Sequence, residues 1–145
     1  MSGRKGLRFS ADAAIVLALA ETAVPFAVSP EDEAERWVRV LRLHGQVGTA
    51  LQALGVGEAP LETPAQSPAA RAARRRAATD DVVGTVARRA ARLAIARESD
   101  TIATVDLLFA VFDAYRGAFD RALYIRGTTR DELIEHLRSA ARQPR

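Results

Sequence analysis

Part of this chain occurs twice. Gly45, Ala50, Leu51 and Gly55 recur in the same order 72 residues later as Gly117, Ala122, Leu123 and Gly127. Upstream, Ala13, Val16 and Ala20 are answered 70 residues later by Val83, Val86 and Ala90. A two-residue change of length between the two blocks reconciles the offsets. Chance supplies small apolar matches readily, but two glycines and an Ala-Leu pair in one order are harder to obtain that way. A chain that repeats a supersecondary unit buries only part of each unit's apolar surface alone, and the units cover the remainder by packing face to face. The repeats are expected at about 9–56 and 79–141, with a Pro- and Arg-rich linker at about 57–78, all within a single domain spanning 1–145.

The repeated unit reads as helical. Ser10 precedes Ala13, Val16, Leu17 and Ala20, a helical spacing behind a capping residue. Ser29-Pro30-Glu31-Asp32 reads as an N-cap, a first-turn proline and acids on the positive end of the helix dipole. That helix is expected to bury Trp37, Val40 and Leu41. Val47, Ala50, Leu51 and Leu54 predict a third helix closed by Gly55. In the second half Asp80 and Asp81 read as caps, Thr104 as the cap of the next helix, and Phe119–Ile125 as a third. Thr129 and Glu132 form a capping box for the last. Pro60, Pro64 and Pro68 disfavour a helix between the halves. No stretch alternates long enough for a sheet. The expected class is all-α: two tandem four-helix repeats in a pseudo-two-fold bundle.

These residues resemble the amino-terminal (Clp N) domain of Clp-type protease chaperones. Phe9-Ser10-Ala11-Asp12-Ala13 with Val16-Leu17-Ala18-Leu19-Ala20 is similar to that family's opening helix, F-T-x-x-A-x-x-V-L-x-L-A. Ile102-Ala103-Thr104-Val105-Asp106-Leu107-Leu108 resembles its I-G-T-E-H-L-L motif. Gly117, Arg121-Ala122-Leu123 and Gly127 resemble the segment after it. The likeness runs from about Phe9 to Leu137. Val105 stands where the family has glutamate, and Asp106 where it has histidine. In the first half Pro30–Glu33 occupies the motif's region, and the proline-rich stretch replaces the fourth helix. The resemblance implies a divergent, stand-alone accessory protein without ATPase modules. In the family this domain receives substrates and adaptors, and some members bind cyclic-peptide antibiotics or phosphorylated arginine.

Much chemistry is excluded or disfavoured. There is no cysteine, so disulfides, thiolate metal sites and cysteine nucleophiles are out. Lys5 is the sole lysine and no phosphate-binding loop surrounds it. His44 and His136 have no partner at metal-ligand spacing. Glu31, Asp32, Glu33 and Glu35 read most simply as a solvated, dipole-favoured helix start. Arg4, Lys5 and Arg8 precede an apolar run from Ala13 to Ala20 that is too short to span a bilayer, and a cytoplasmic protein is expected. The expectation is therefore a protein that binds and does not catalyse, with no cofactor and no metal.

Its ligands are expected to be peptides, or unfolded or tagged proteins. Leu7, Arg8 and Phe9 are the leading contact candidates, because by resemblance the start of the first helix borders the family's peptide groove. Glu33 would attract basic peptides. Thr104 and Val105 come from the motif, and Tyr115 stands at a helix end where a ring can wall a groove. Trp37, Phe109, Phe112, Phe119 and Tyr124 are read mainly as core. One variant of this reading is sequestration of a toxic cyclic peptide; another is direct contact with a Clp ATPase. The rival is a DNA-binding regulator using Arg71, Arg74, Arg75 and Arg76. From 71 to 97 there are eight arginines against Asp80 and Asp81, a net +6.

Overall fold

The computed structural model describes residues 6–57 and 81–142. Strand β1 (Arg8–Phe9) leads into α1 (Ala11–Ala23) and a 3-10 turn (Val24–Phe26). Helices α2 (Pro30–Leu41) and α3 (Gly45–Ala53) complete the first half. The second half comprises α4 (Val82–Ala96), β2 (Thr101–Ile102), α5 (Thr104–Tyr115), α6 (Gly117–Ile125) and α7 (Arg130–Arg142). The described chain is mostly helical. Arg71, Arg74, Arg75, Arg76, Asp80 and the place of a fourth helix in the first half lie outside the described residues.

The helix starts follow from local chemistry. Ser10 Oγ accepts the Ala13 N–H at 3.1 Å, Ser29 Oγ the Asp32 N–H at 3.1 Å, and Asp81 Oδ1 the Gly84 N–H at 2.9 Å. Thr129 Oγ1 accepts the Glu132 N–H at 3.1 Å. Each satisfies a first-turn donor that the helix itself leaves unpaired. The cap of α5 differs from the sequence reading. Ala103 is the N-cap and Thr104 the first helical residue. The Asp106 carboxylate reaches back to accept the Ala103 N–H at 2.9 Å. At the other ends, Gly55 and Gly127 take φ of +90° after α3 and α6. A glycine holds that conformation without steric cost.

One element was not expected. β1 and β2 form a parallel two-residue ladder, Arg8 opposite Thr101 and Phe9 opposite Ile102. Such a ladder is too short to leave an alternating pattern. It brings Arg8 and Phe9 beside the start of α5.

The core is continuous through both halves. Val16, Trp37, Leu41 and Leu51 from the first half, and Leu107, Leu108, Phe119, Leu123 and Leu133 from the second, are fully buried in one cluster. Helix α2 packs on α6 and α5, α3 on α5 and α7, and α4 along α5. Two aromatic assignments change. Phe109 is 38% exposed and Tyr124 76% exposed. Phe109 stands on the outer side of a helix that is apolar almost all round, and Tyr124 lies in the last turn of α6, outside the packed stripe. Phe112 and Phe119 do pack, edge to face, with ring centres 5.4 Å apart. No helix among the described residues is long and apolar enough to cross a membrane.

Candidate functional site

The sequence-selected residues fall into two groups at opposite ends of α5. The first gathers around β1. Leu7 is half-buried against the core, whereas Arg8 and Phe9 are exposed. Arg8 N–H donates to Asp100 O at 3.2 Å and Ser10 N–H to Ile102 O at 2.9 Å. Strand alternation therefore turns the Phe9 N–H and C=O away from β2. Neither group has a partner among the described residues. Thr104, at the first position of α5, is buried, and Val105 is half-buried against the core.

The starts of α1, α3 and α5 meet around Gly45, with Thr104 bonded across to α3. Thr104 Oγ1 accepts the Val47 N–H at 3.5 Å. At Gly45, φ is +79°, and a Cβ there would sit 2.7 Å from Thr104 Cγ2 and 3.2 Å from Asp12 Cβ. Only a glycine suits both the backbone angle and the gap. Above this junction opens a cavity of about 630 Å³. Asp12, Gln46 and Thr49 line one side, and His136, Leu137 and Ala140 of α7 the other. Sequence reasoning missed these lining residues. Gly45 was visible through the repeat, and His136 only as a histidine with no partner at metal-ligand spacing.

The second group joins α2 to the far end of α5. The Tyr115 hydroxyl donates to Glu33 Oε1 at 2.7 Å and accepts the Trp37 Nε1–H at 3.2 Å. Burial first, and then its bond to the Glu33 carboxylate, push the Tyr115 hydroxyl well above its ordinary value. It stays protonated through the neutral range and works as a fixed strut. Eleven helical rises separate Thr104 from Tyr115, roughly 16 Å. Glu33 and Tyr115 thus belong to the α2–α5 joint, away from β1. Ion pairs reinforce this side: Glu35 of α2 meets Arg126, and Glu31 meets Arg121 at 3.4 Å.

Among the described residues no three His, Cys, Asp or Glu side chains cluster at metal-binding distance. What the β1 end offers is unpaired main-chain polarity, an aromatic ring and an adjoining hollow. Comparison with known protein families and with curated proteins finds no match to this chain.

Proposed function

We propose that the protein is a non-enzymatic peptide-binding module, and that extended segments dock along the outer edge of β1. The observation that carries this reading is the outward-facing, unpartnered Phe9 N–H and C=O on an exposed strand. An extended peptide adding to such an edge gains main-chain hydrogen bonds of about 0.5–1.5 kcal/mol each. The half-exposed Phe9 ring supplies apolar contact, and the cavity of about 630 Å³ near Asp12 falls in the range of ligand pockets. Leu7, Arg8, Phe9 and Asp12 are the contact residues, while Glu33, Tyr115, Thr104 and Val105 hold the frame.

The same proposal takes the fold to be a duplicated quartet resembling the Clp N domain. Support comes from the packing: α2 on α6 and α3 on α5 are contacts that a pseudo-two-fold exchanging α2 with α5 and α3 with α6 would interchange. On this reading the protein is an accessory of a Clp protease-chaperone system in the cytoplasm, or a sink for cyclic peptides aimed at one.

The test is a titration of the isotopically labelled protein with an unstructured arginine-containing peptide, and with the same peptide N-methylated on alternate residues. Amide shifts centred on Leu7–Asp12 are expected. One of the two methylation registers should weaken binding by about 2–10-fold for each hydrogen bond removed. Shifts that avoid β1, or indifference to both methylation registers, would overturn strand addition.

A further inference from the structure

Helix α4 carries Arg88, Arg89 and Arg92 and not one acidic residue along its 15 positions. The structure sorts these cations. Arg89 closes onto Asp113 of α5. Arg97, just past the helix, is held by both carboxylate oxygens of Asp106, at 2.8 and 2.6 Å. Those two are neutralised within the fold.

Arg88 and Arg92 are not. Both are exposed and stand one helical turn apart, with Thr85 extending the same stripe. Arg88 touches the Thr85 hydroxyl at 3.2 Å and approaches Asp81 only to 4.0 Å, with both side chains largely in solvent. Arg92 has no ion pair or hydrogen bond among the described residues. Beside it a hollow of about 300 Å³ is lined by Arg89, Arg92, Leu93 and Asp113.

We propose that this stripe of α4 is a contact surface for the phosphate backbone of nucleic acid, engaged without reading bases. Guanidinium groups bind phosphate oxygens in a paired, fork-like geometry that an ammonium lacks. Arg88 and Arg92 have Cβ atoms about 6 Å apart, close enough for both to serve neighbouring phosphates of one strand. The stripe has no aromatic ring for bases to stack on. An acidic protein partner is the competing occupant, and the stripe argues against it. Protein interfaces centre on a desolvated apolar or aromatic anchor, whereas here the middle of the stripe is Arg88 and Arg92, and Ile95 stands only at its far end.

The experiment uses the full chain and a short fluorescent DNA duplex of arbitrary sequence, with affinity followed between about 50 and 200 mM salt. Binding that weakens linearly in log–log form is expected. Replacing both arginines (Arg88→Ala, Arg92→Ala) should flatten the slope by about 1.8, two phosphate contacts at about 0.9 each. The Arg88→Lys, Arg92→Lys double variant should keep most of the slope. Both side chains are exposed, and circular dichroism melting checks that each variant folds. An unchanged slope in the alanine variant overturns the proposal. So does a loss seen only when Arg74, Arg75 and Arg76 are replaced, which would move the contact to that segment. Polyglutamate competing as well as duplex would assign the stripe to acidic proteins instead. None of these outcomes bears on peptide docking at β1, which has its own test.

Discussion

The two halves solve the same packing problem with opposite charges inside. Helices α2 and α5 are each 12 residues long, and α3 and α6 each 9. The repeated Ala-Leu pairs, Ala50-Leu51 and Ala122-Leu123, are buried, and the glycines after them share one backbone angle. The ion pairs at the helix starts differ. In the first half the cation is the buried member: the Arg36 side chain is 11% exposed and its partner Asp32 28%. In the second half the anion is buried: Asp106 is 4% exposed and Arg97 45%. Arg36 also donates to Ala23 O at 3.3 Å, tying α2 to the end of α1, while Asp106 ties α5 to the loop before it. Both halves bury an Ala-Leu pair followed by a glycine at φ +90°, and they differ in their polar joints.

The largest expected effect tests whether the shared positions are equivalent. Leu51→Ala and Leu123→Ala each remove a fully buried side chain from the continuous core. Each should cost about 2–5 kcal/mol in urea unfolding, with a single transition followed by both circular dichroism and tryptophan fluorescence. Trp37 stands on α2 of the first half and is bonded across to Tyr115 of the second. If Leu123→Ala unfolded the second half while the Trp37 signal held, the halves would be independent domains and the comparison would break.

Four helix starts were legible in the sequence because their causes are local. Ser10, Ser29, Asp81 and Thr129 each act within three residues of themselves. The β1–β2 ladder was not legible, since two residues carry no period and the pairing spans more than ninety positions. Phe109 and Tyr124 show how spacing misleads: a helix apolar on most sides does not announce which side faces solvent. Glu33 and Tyr115 were both chosen from sequence, but only their place in the fold shows them bonded to each other rather than to a groove. Arg8 and Phe9 were chosen through a resemblance, and the outward turn of the Phe9 backbone could be seen only once Arg8 and Ser10 were found bonded to β2.

A middle-sized effect probes the inverted ion pairs. Asp32→Ala would strand the buried Arg36 charge, and Arg97→Ala would strand the buried Asp106 carboxylate. Each retains one hydrogen bond to the main chain, from Arg36 to Ala23 O and to Asp106 from the Ala103 N–H. The expected cost is therefore about 2–3 kcal/mol, below that of a fully severed buried pair. Equal losses from the two substitutions would sharpen the comparison, because opposite signs would then be doing the same structural task. A loss below about 1 kcal/mol in either, the level of a surface pair, would mean that water reaches the supposedly buried partner.

The smallest effect has the opposite sign, and it concerns the turn before the repeated 9-residue helix. In the first half the strained angle falls on Gly45, at φ +79°. In the second half it falls one residue earlier, on Arg116 at φ +46° and ψ −117°, beside Gly117. For a residue with a side chain that conformation costs about 1–3 kcal/mol, of which glycine's greater freedom in the unfolded chain returns part on substitution. Arg116→Gly is therefore expected to stabilise the protein by about 1 kcal/mol, a rise in Tm of about 3 °C. Gly45→Ala should do the reverse, losing about 1–2 kcal/mol, because the new methyl would meet both the left-handed angle and Thr104 Cγ2. If Arg116→Gly lowered the melting temperature instead, the Arg116 side chain would have to stabilise this turn by more than its backbone strain costs. The two halves would then differ in how the turn is held, and not merely in where its glycine sits.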